Sequence, residues 1–399
     1  MSEDYVSKIF EKALSGPKIF RDKSVLSHNY IPDKLPFREK EISYIAQIFT
    51  SLIRGEKGSN VFIYGKPGTG KTAVVKYVIK KFTDFLNKHG FKIIISYVNC
   101  RIAGTEYRVV LNMARDVGLD LPFTGLSVEE ALSRFIKKIV ELNKPFLIIF
   151  DEIDVLVIRY GDKILYTLTR FGSEYPHIPY LIVGISNDLR FKEYLDPRVS
   201  SSLSEEEVVF KPYNSKELEV ILNDRISLAF YPGVVESSAV KLIASLSAAE
   251  HGDARKALDI LRVAGELAEF HGDSKVTEFH VKEAYSNIDK ERILEAVRSL
   301  PLHSRLILAA LINYEGGYIK STSLYMKYTQ LAGQVSDVIL SYRRFQGLIS
   351  ELAMLGLVEK KIYNLGRRGG RSSNIRLSVP VSELRSILVE DPIIGDLIG

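Results

Sequence analysis

Short apolar runs alternate with longer amphipathic stretches through the first half of the chain. Residues 61–64, 93–98, 146–150, 181–186 and 208–210 read as strands, and most of the segments between them carry apolar residues at helical spacing. That alternation predicts an α/β fold, a parallel sheet with helices on both faces. After Pro212 the strand signals stop. Leu218, Ile221 and Leu222, then Val240, Ile243 and Leu246, then Ala257, Leu258, Leu261 and Leu267 recur at three- and four-residue steps, as the buried side of a helix requires. A small all-helical domain is expected there. The repeated triplet His251-Gly252-Asp253 and His271-Gly272-Asp273 reads as two helix ends sharing turn residues rather than a duplication.

The last hundred or so residues change again. Residues 305–313 and 323–331 predict short helices, and a third runs from about 341 to 355. On that helix Phe345, Leu348, Ile349, Leu352 and Leu355 fall on one face, and Arg343, Gln346 and Ser350 fall on the other. Residues 357–363 and 375–379, joined by a tip at 366–371, predict a two-stranded hairpin. Three helices followed by a basic hairpin describe a winged helix-turn-helix. The expected domains are therefore residues 1–212, 213–289 and 290–399, in keeping with roughly 150 residues per domain in a 399-residue chain.

Composition narrows the class. Apolar residues make up 46% and charged residues 26%, which excludes disordered and fibrous chains. The single cysteine, Cys100, offers no internal disulfide, so a reducing compartment is expected. The acidic start MSEDYVSKIF and the lack of any apolar run near 18 residues argue against secretion and membrane insertion. Net charge is +5. Between residues 358 and 378, Lys360, Lys361, Arg367, Arg368, Arg371 and Arg376 face Glu359 alone, an excess equal to that of the whole chain. Such a concentration points to a polyanion partner, with a solvated loop as the competing reading.

Gly65-Lys66-Pro67-Gly68-Thr69-Gly70-Lys71-Thr72 matches the phosphate loop G-x-x-x-x-G-K-[ST], set between an apolar strand and an amphipathic helix. Its glycines let several amides face one point, and the helix that follows adds its positive dipole end. Lys71 is placed to reach the β and γ phosphates of ATP, Thr72 to hold Mg2+, and the Ala73 amide to lie near the α phosphate. The strand ending in Asp151 and Glu152 supplies a magnesium-side carboxylate and a group that polarises the attacking water. Asp154 is read as a capping residue. Asn187, at the tip of another apolar strand, can hydrogen-bond the γ phosphate or the water. Asp253 can cap a helix whose first turn carries Arg255, and Arg255 would lean back over the nucleotide.

Taken in order, these residues resemble the AAA+ ATPases and, within them, the archaeal replication initiators related to the origin recognition complex and its cell-division-cycle loader partner. Also carrying the likeness are Asn29-Tyr30-Ile31-Pro32, Leu35-Pro36-Phe37-Arg38-Glu39, Val98-Asn99-Cys100-Arg101, Leu195-Asp196-Pro197-Arg198-Val199 and Ser341-Tyr342-Arg343-Arg344-Phe345. The resemblance makes Asn187 similar to the first sensor residue and Arg255 to the second. It adds Tyr213, as a stacking surface for adenine, and Arg225 near the nucleotide. Arg198 falls where a finger arginine aimed at a neighbouring subunit can occur. Residues 101–127 resemble a helical insertion that gives initiators a second DNA contact. In the winged helix Tyr342, Arg343 and Arg344 would meet the major groove of duplex DNA, and Arg367, Arg368, Gly369 and Arg371 the phosphates or minor groove.

The implied protein is a cytoplasmic, nucleoid-associated ATPase of slow turnover, with ATP or ADP and Mg2+ as cofactors. Its implied partners are origin DNA, the replicative helicase and related initiator chains. Two rivals stay open on the residues alone. One is a signalling ATPase whose winged helix docks proteins or holds the nucleotide domain shut; the other is an architectural DNA-binding protein with ADP permanently bound.

Overall fold

Every residue of the strand at 146–151 is buried, and successive side chains enter different cores, so that strand must lie between two helical layers. The computed structural model that shows this describes residues 18–28, 30–203, 206–314, 317–336, 338–364 and 371–398. The chain divides into two compact units, Met1–Val281 and Lys282–Gly399.

In the first unit the chain forms, in order, α1 (Glu39–Ile53), β1 (Val61–Gly65), α2 (Lys71–His89), β2 (Ile94–Asn99), α3 (Cys100–Ala103), α4 (Glu106–Asp116), α5 (Val128–Leu142), β3 (Phe146–Asp151), α6 (Ile153–Tyr160), α7 (Lys163–Glu174), β4 (Tyr180–Ser186), α8 (Pro197–Leu203) and β5 (Glu206–Phe210). The five strands are all parallel, in the order β2-β3-β4-β1-β5. Phe146, Ile148 and Phe150 pack with Leu132, Phe135, Leu165 and Leu168 from α5 and α7. Leu147 and Ile149 pack with Ile45, Phe49, Val75 and Val78 from α1 and α2. Each such side chain contributes about 1.5–3 kcal/mol by leaving water. The predicted α/β fold, a sheet with helices on both faces, is present. Register sets Asn99 beside Asp151, Asp151 beside Ile185, and Tyr64 beside Ser186. The carboxyl ends of the strands thus open on one edge, where α/β sheets bind ligands.

Helices α9 (Ser215–Ala229), α10 (Ser237–Ala249) and α11 (Ala254–His271) follow in this unit. Asn214 and Glu217 form a reciprocal capping box at the start of α9. Leu218, Leu222, Val240, Ile243, Ala257, Leu258 and Leu261 are buried as their spacing predicts, whereas Ile221, Leu246 and Leu267 are only partly covered. α12 (Glu278–Arg298) carries the chain into the second unit.

That unit holds α13 (Leu302–Ile312), β6 (Ile319–Lys320), α14 (Ser321–Val335), α15 (Tyr342–Met354), β7 (Val358–Asn364), β8 (Arg371–Leu377), α16 (Val381–Val389) and α17 (Gly395–Ile398). The winged helix-turn-helix is present, with three departures from the sequence reading. The hairpin is part of an antiparallel three-stranded sheet, β6-β8-β7, because Ile319 and Lys320 pair with Ile375 and Asn374. Two residues are too few to show an alternating pattern. Leu355 is half exposed, since α15 ends at Met354 and the helical period no longer governs the residue that follows. Helices α16 and α17 follow the wing, and Leu384, Leu388 and Ile394 complete its core. Among the described residues no helix is long and apolar enough to cross a membrane.

Candidate functional site

The phosphate loop leaves β1 at Gly65 and re-enters regular structure at Lys71. Gly68 and Gly70 take left-handed backbone angles, φ 71° and 92°, that other residues hold only with strain. Thr69 Oγ1 donates to the Lys66 carbonyl at 2.8 Å, closing the loop on itself. Lys71 is buried, and its Nζ donates to the carbonyls of Gly65 at 2.7 Å and Lys66 at 2.8 Å. Burial, with a smaller contribution from the positive charge of Arg255, lowers the Lys71 pKa to about 8. An ammonium held this way gains from any anion brought to it.

Thr72 Oγ1 lies 3.1 and 3.2 Å from the two carboxylate oxygens of Asp151, and the Tyr97 hydroxyl donates to the same carboxylate. Asp151 also accepts the Glu152 amide at 3.1 Å. The result is a part-buried all-oxygen cluster of the kind a hard divalent cation prefers. Glu152 caps α6 with a left-handed backbone, φ 54°, so Asp154 is not the cap expected of it. Asp154 is buried inside the first turn and accepts the backbone amide of Asn187 at 3.5 Å. Burial pushes its carboxyl above the usual range. Asn187 itself sits one residue beyond β4, half-buried, on the edge where Asp151 emerges.

The helical domain rests directly on the loop. The Ala254 amide donates to the Gly68 carbonyl at 3.2 Å, and a methyl added to Gly68 would run into the Asp253 carboxylate at 1.7 Å. Asp253 caps α11, accepting the amides of Arg255 and Lys256 at 2.8 and 3.2 Å, so Arg255 lies in the first turn as predicted. Beneath this contact lies a cavity of about 450 Å³. Gly68, Gly70, Thr72, Ala73, Tyr213, Arg225 and Arg255 line it, with Tyr30, Ile31, Pro32, Ile221, Leu228 and Leu258 as its apolar wall. Arg225 is buried, stacked on the Tyr30 ring at 4.7 Å and within 3.4 Å of the Val25 carbonyl. Burial lowers its pKa from the ordinary arginine value.

Sequence reasoning missed Arg38 as a site residue. It is buried, and its Nε donates to the Thr69 carbonyl at 3.1 Å and to the Tyr213 hydroxyl at 2.9 Å. Its NH2 donates to the Lys211 carbonyl at 2.7 Å, and NH1 pairs with Glu41 at 3.3 Å. The guanidinium lies 4.0 Å from the centre of the Tyr213 ring. One face of that tyrosine is therefore taken by Arg38, which narrows the adenine surface expected of it; the cavity's aliphatic wall offers a second. The only sequence signal was the position of Arg38 in the run Leu35–Glu39.

Arg198 lies in the first turn of α8, largely exposed, clamped to Asp196 at 3.0 Å and lying 5.3 Å from the Tyr166 ring. In the second unit, Ser341 caps α15 and Arg343 and Arg344 are exposed on its first turn. Tyr342 is not free in the same sense: its hydroxyl meets Ser321 Oγ at 2.7 Å and Gln346 Nε2 at 3.0 Å, and its ring packs on Tyr325 and Phe345. Lys361 and Arg376, on β7 and β8, flank the Tyr318 ring at 4.7 and 4.9 Å. Arg371 begins β8, while Arg367, Arg368 and Gly369 lie outside the described residues.

Residues 34–159 match the family described as AAA ATPase domain, residues 219–286 the Cdc6 AAA+ ATPase-type lid domain, and residues 295–386 the CDC6 C-terminal winged helix domain. The chain is 44% identical over 394 residues to the ORC1-type DNA replication protein of Pyrococcus furiosus, covering 97% of this chain and 93% of that one. It superposes on the Aeropyrum pernix ORC1 protein, solved in complex with DNA, with a TM-score of 0.86 at 41% identity, over 95% of this chain and 99% of the other. The ADP form of the Aeropyrum pernix ORC2 protein matches with a TM-score of 0.60 at 25% identity, over 95% and 99%.

Proposed function

The chain belongs to the ORC1-type DNA replication proteins, AAA+ replication initiators, and from that premise we propose that it binds duplex DNA at replication origins and helps load the replicative helicase. ATP binding and slow hydrolysis act as the switch between its states. One observation carries the reading: a single chain joins a cleft in which phosphate loop, acid strand and helical lid converge to a winged helix with exposed arginines. The Aeropyrum relative solved with DNA and the ADP-bound one support the two ligands.

In this reading residues 1–212 form the nucleotide-binding base, 213–289 the lid and 290–399 the DNA-binding domain. Lys71 leaves its loop carbonyls for the β and γ phosphates, and the amides of Gly68 to Ala73 cradle the rest. Thr72 and Asp151 would hold Mg2+, which neutralises charge on the phosphates when bound. Glu152 orients the attacking water, and Asn187, tethered through its amide to Asp154, meets the γ phosphate. Arg255 reads the phosphate state from the lid, while Ile31, Pro32, Ile221 and Leu258, with Tyr213 and Arg225, enclose the base and sugar. On DNA, Arg343 and Arg344 enter the major groove, and Arg367, Arg368, Gly369 and Arg371 meet the phosphates or minor groove. Tyr342, exposed at the start of α15, meets the same groove. A related initiator chain is the partner to which Arg198 is exposed.

The test is duplex binding by the full chain with ATP, with ADP and without nucleotide, over a range of salt. Affinity is expected to depend on the nucleotide, and Arg368→Ala to weaken binding with the salt slope reduced by about one. A parent chain with no affinity for duplex DNA at physiological salt overturns the reading in favour of a protein-docking winged helix.

A further inference from the structure

The triplet His-Gly-Asp occurs twice in the chain, and the two copies meet different fates. In the first, Gly252 is left-handed, Asp253 caps α11, and His251 Nδ1 lies 3.2 Å from Lys66 Nζ. In the second, Gly272 is again left-handed, φ 79°, and ends α11. There the Asp273 carboxylate turns instead to His280 in the first turn of α12, whose Nε2 lies 3.0 Å away. His271 completes the group: one ligating atom from each of His271, Asp273 and His280 lies within 4.8 Å of the other two.

The main chain holds the three in place. The Gly272 amide donates to the Glu269 carbonyl at 3.2 Å and the Asp273 amide to that of Ala268 at 2.9 Å, closing the end of α11. Three residues on, the Val276 amide donates to the Val234 carbonyl at 2.8 Å, and its carbonyl accepts the Glu236 amide at 3.0 Å. The loop at 272–277 is thus tied at both ends, and the His280 side chain is only 2% exposed. The His271 ring lies 5.8 Å from Phe270, 6.0 Å from Phe279 and 5.6 Å from His280, so it stands among rings rather than alone in solvent. Zn2+ bonds nitrogen and oxygen at about 2.0–2.2 Å, which sets neighbouring ligands of a tetrahedral site about 3.3 Å apart. His280 and Asp273 are close to that spacing already, and His271, exposed at a helix end, is the one that has to move.

Thr277 supplies the outer support. In the neutral ring of His280, Nδ1 accepts the Thr277 amide at 3.1 Å, which leaves the proton on Nε2, directed at Asp273. A metal at Nε2 needs the other tautomer, and Thr277 Oγ1, also 3.1 Å from Nδ1, is there to accept the proton of that form. The Thr277 amide gives up its bond to the ring in the exchange. Two imidazoles and one carboxylate suit a borderline cation such as Zn2+ and disfavour Mg2+, which prefers oxygen ligands.

We propose that His271, Asp273 and His280 form a divalent metal site of the zinc class, with three protein ligands and a fourth position left to water, which clamps the end of α11 to the first turn of α12. Its donors set it apart from the all-oxygen cluster of Thr72 and Asp151. Because α12 carries the chain into the second unit, the metal fixes the root of the helix that leads to the winged helix.

The experiment uses the full chain without a polyhistidine tag, stripped with chelator. ZnCl2 is titrated by calorimetry in excess Mg2+, with melts in parallel, for the parent, His271→Ala and Asp273→Asn. Both substituted side chains are exposed, so the variants should fold. The parent should take up one Zn2+ and, at a hundred times its Kd, melt about 3–5 °C higher. Co2+ in place of Zn2+ should give the visible absorption of a four-coordinate site. Each substitution should weaken Zn2+ binding at least about tenfold and abolish the Tm shift. No uptake by the parent, displacement of Zn2+ by Mg2+, or uptake undiminished in either variant, which would put the ion on other histidines, overturns the proposal.

Discussion

In the nucleotide cleft, Lys71, Arg38 and Arg225 are buried, and each already has carbonyl, hydroxyl or ring partners in the fold. On α15 of the winged helix, Arg343 has no ion-pair partner among the described residues, and Arg344 has only a 3.9 Å contact with a glutamate, Glu351, two turns on. Both regions are assigned a polyanion, and they prepare for it in opposite ways. Buried cations hold a rigid cradle whose parts depend on one another, so a single loss spreads. Exposed cations act nearly independently and through a screened field, so losses add and salt weakens all of them.

The contrast is sharpest at Lys71. Lys71→Ala is expected to lower nucleotide affinity a hundredfold or more by titration calorimetry, since the group sits where phosphate charge is least screened. The pH dependence follows from its lowered pKa. In the free folded chain the ammonium is lost near pH 8, whereas the unfolded chain keeps it to about pH 10. The destabilising effect of the buried charge is therefore fully present below pH 8 and relieved above it, so folded stability gains through that window. Nucleotide requires the ammonium, and affinity moves the other way, falling about tenfold by pH 9.

Arg38 tests whether the cradle is a unit. Arg38→Met leaves Glu41 without its partner and the carbonyls of Thr69 and Lys211 without a donor, at a cost of about 2–4 kcal/mol. Calorimetry should show Tm lowered by roughly 3–7 °C, with nucleotide affinity falling as well. An unchanged melt would mean that loop and lid are held independently. On the winged helix, Arg343→Ala should cost about tenfold in duplex affinity, add to the effect of Arg344→Ala, and leave nucleotide binding untouched in the same preparation. The smallest effect is expected from Tyr342→Phe. Its hydroxyl serves Ser321 and Gln346, so stability should fall by about 1 kcal/mol or less while DNA affinity stays within about twofold.

What the sequence disclosed was local. β1, β3 and β4 show as continuous apolar runs because both their faces are covered, and the phosphate loop shows because its geometry demands glycines at fixed spacing. What it concealed was created by folding. Arg38 gains its importance by meeting Thr69, 31 residues away, and Tyr213, 175 away, and no spacing rule links such positions. The same encounter removes one face of the Tyr213 ring from the adenine surface expected of it. The ion pair between Glu152 and Arg101, likewise, depends on the register of β2 against β3. α16 was readable in principle, since Leu384 and Leu388 stand one turn apart after Pro380, but nine residues gave too short a pattern to stand out.

Gly68 acquires a second duty from where the first turn of α11 comes to rest. The Asp253 carboxylate fills the volume a side chain would need, so the absence of a substituent there is what allows the two halves of the ATPase to seat against each other. Even a single added carbon would act as a wedge in a closed door, and the aperture of the cleft is therefore set by the smallest residue in it.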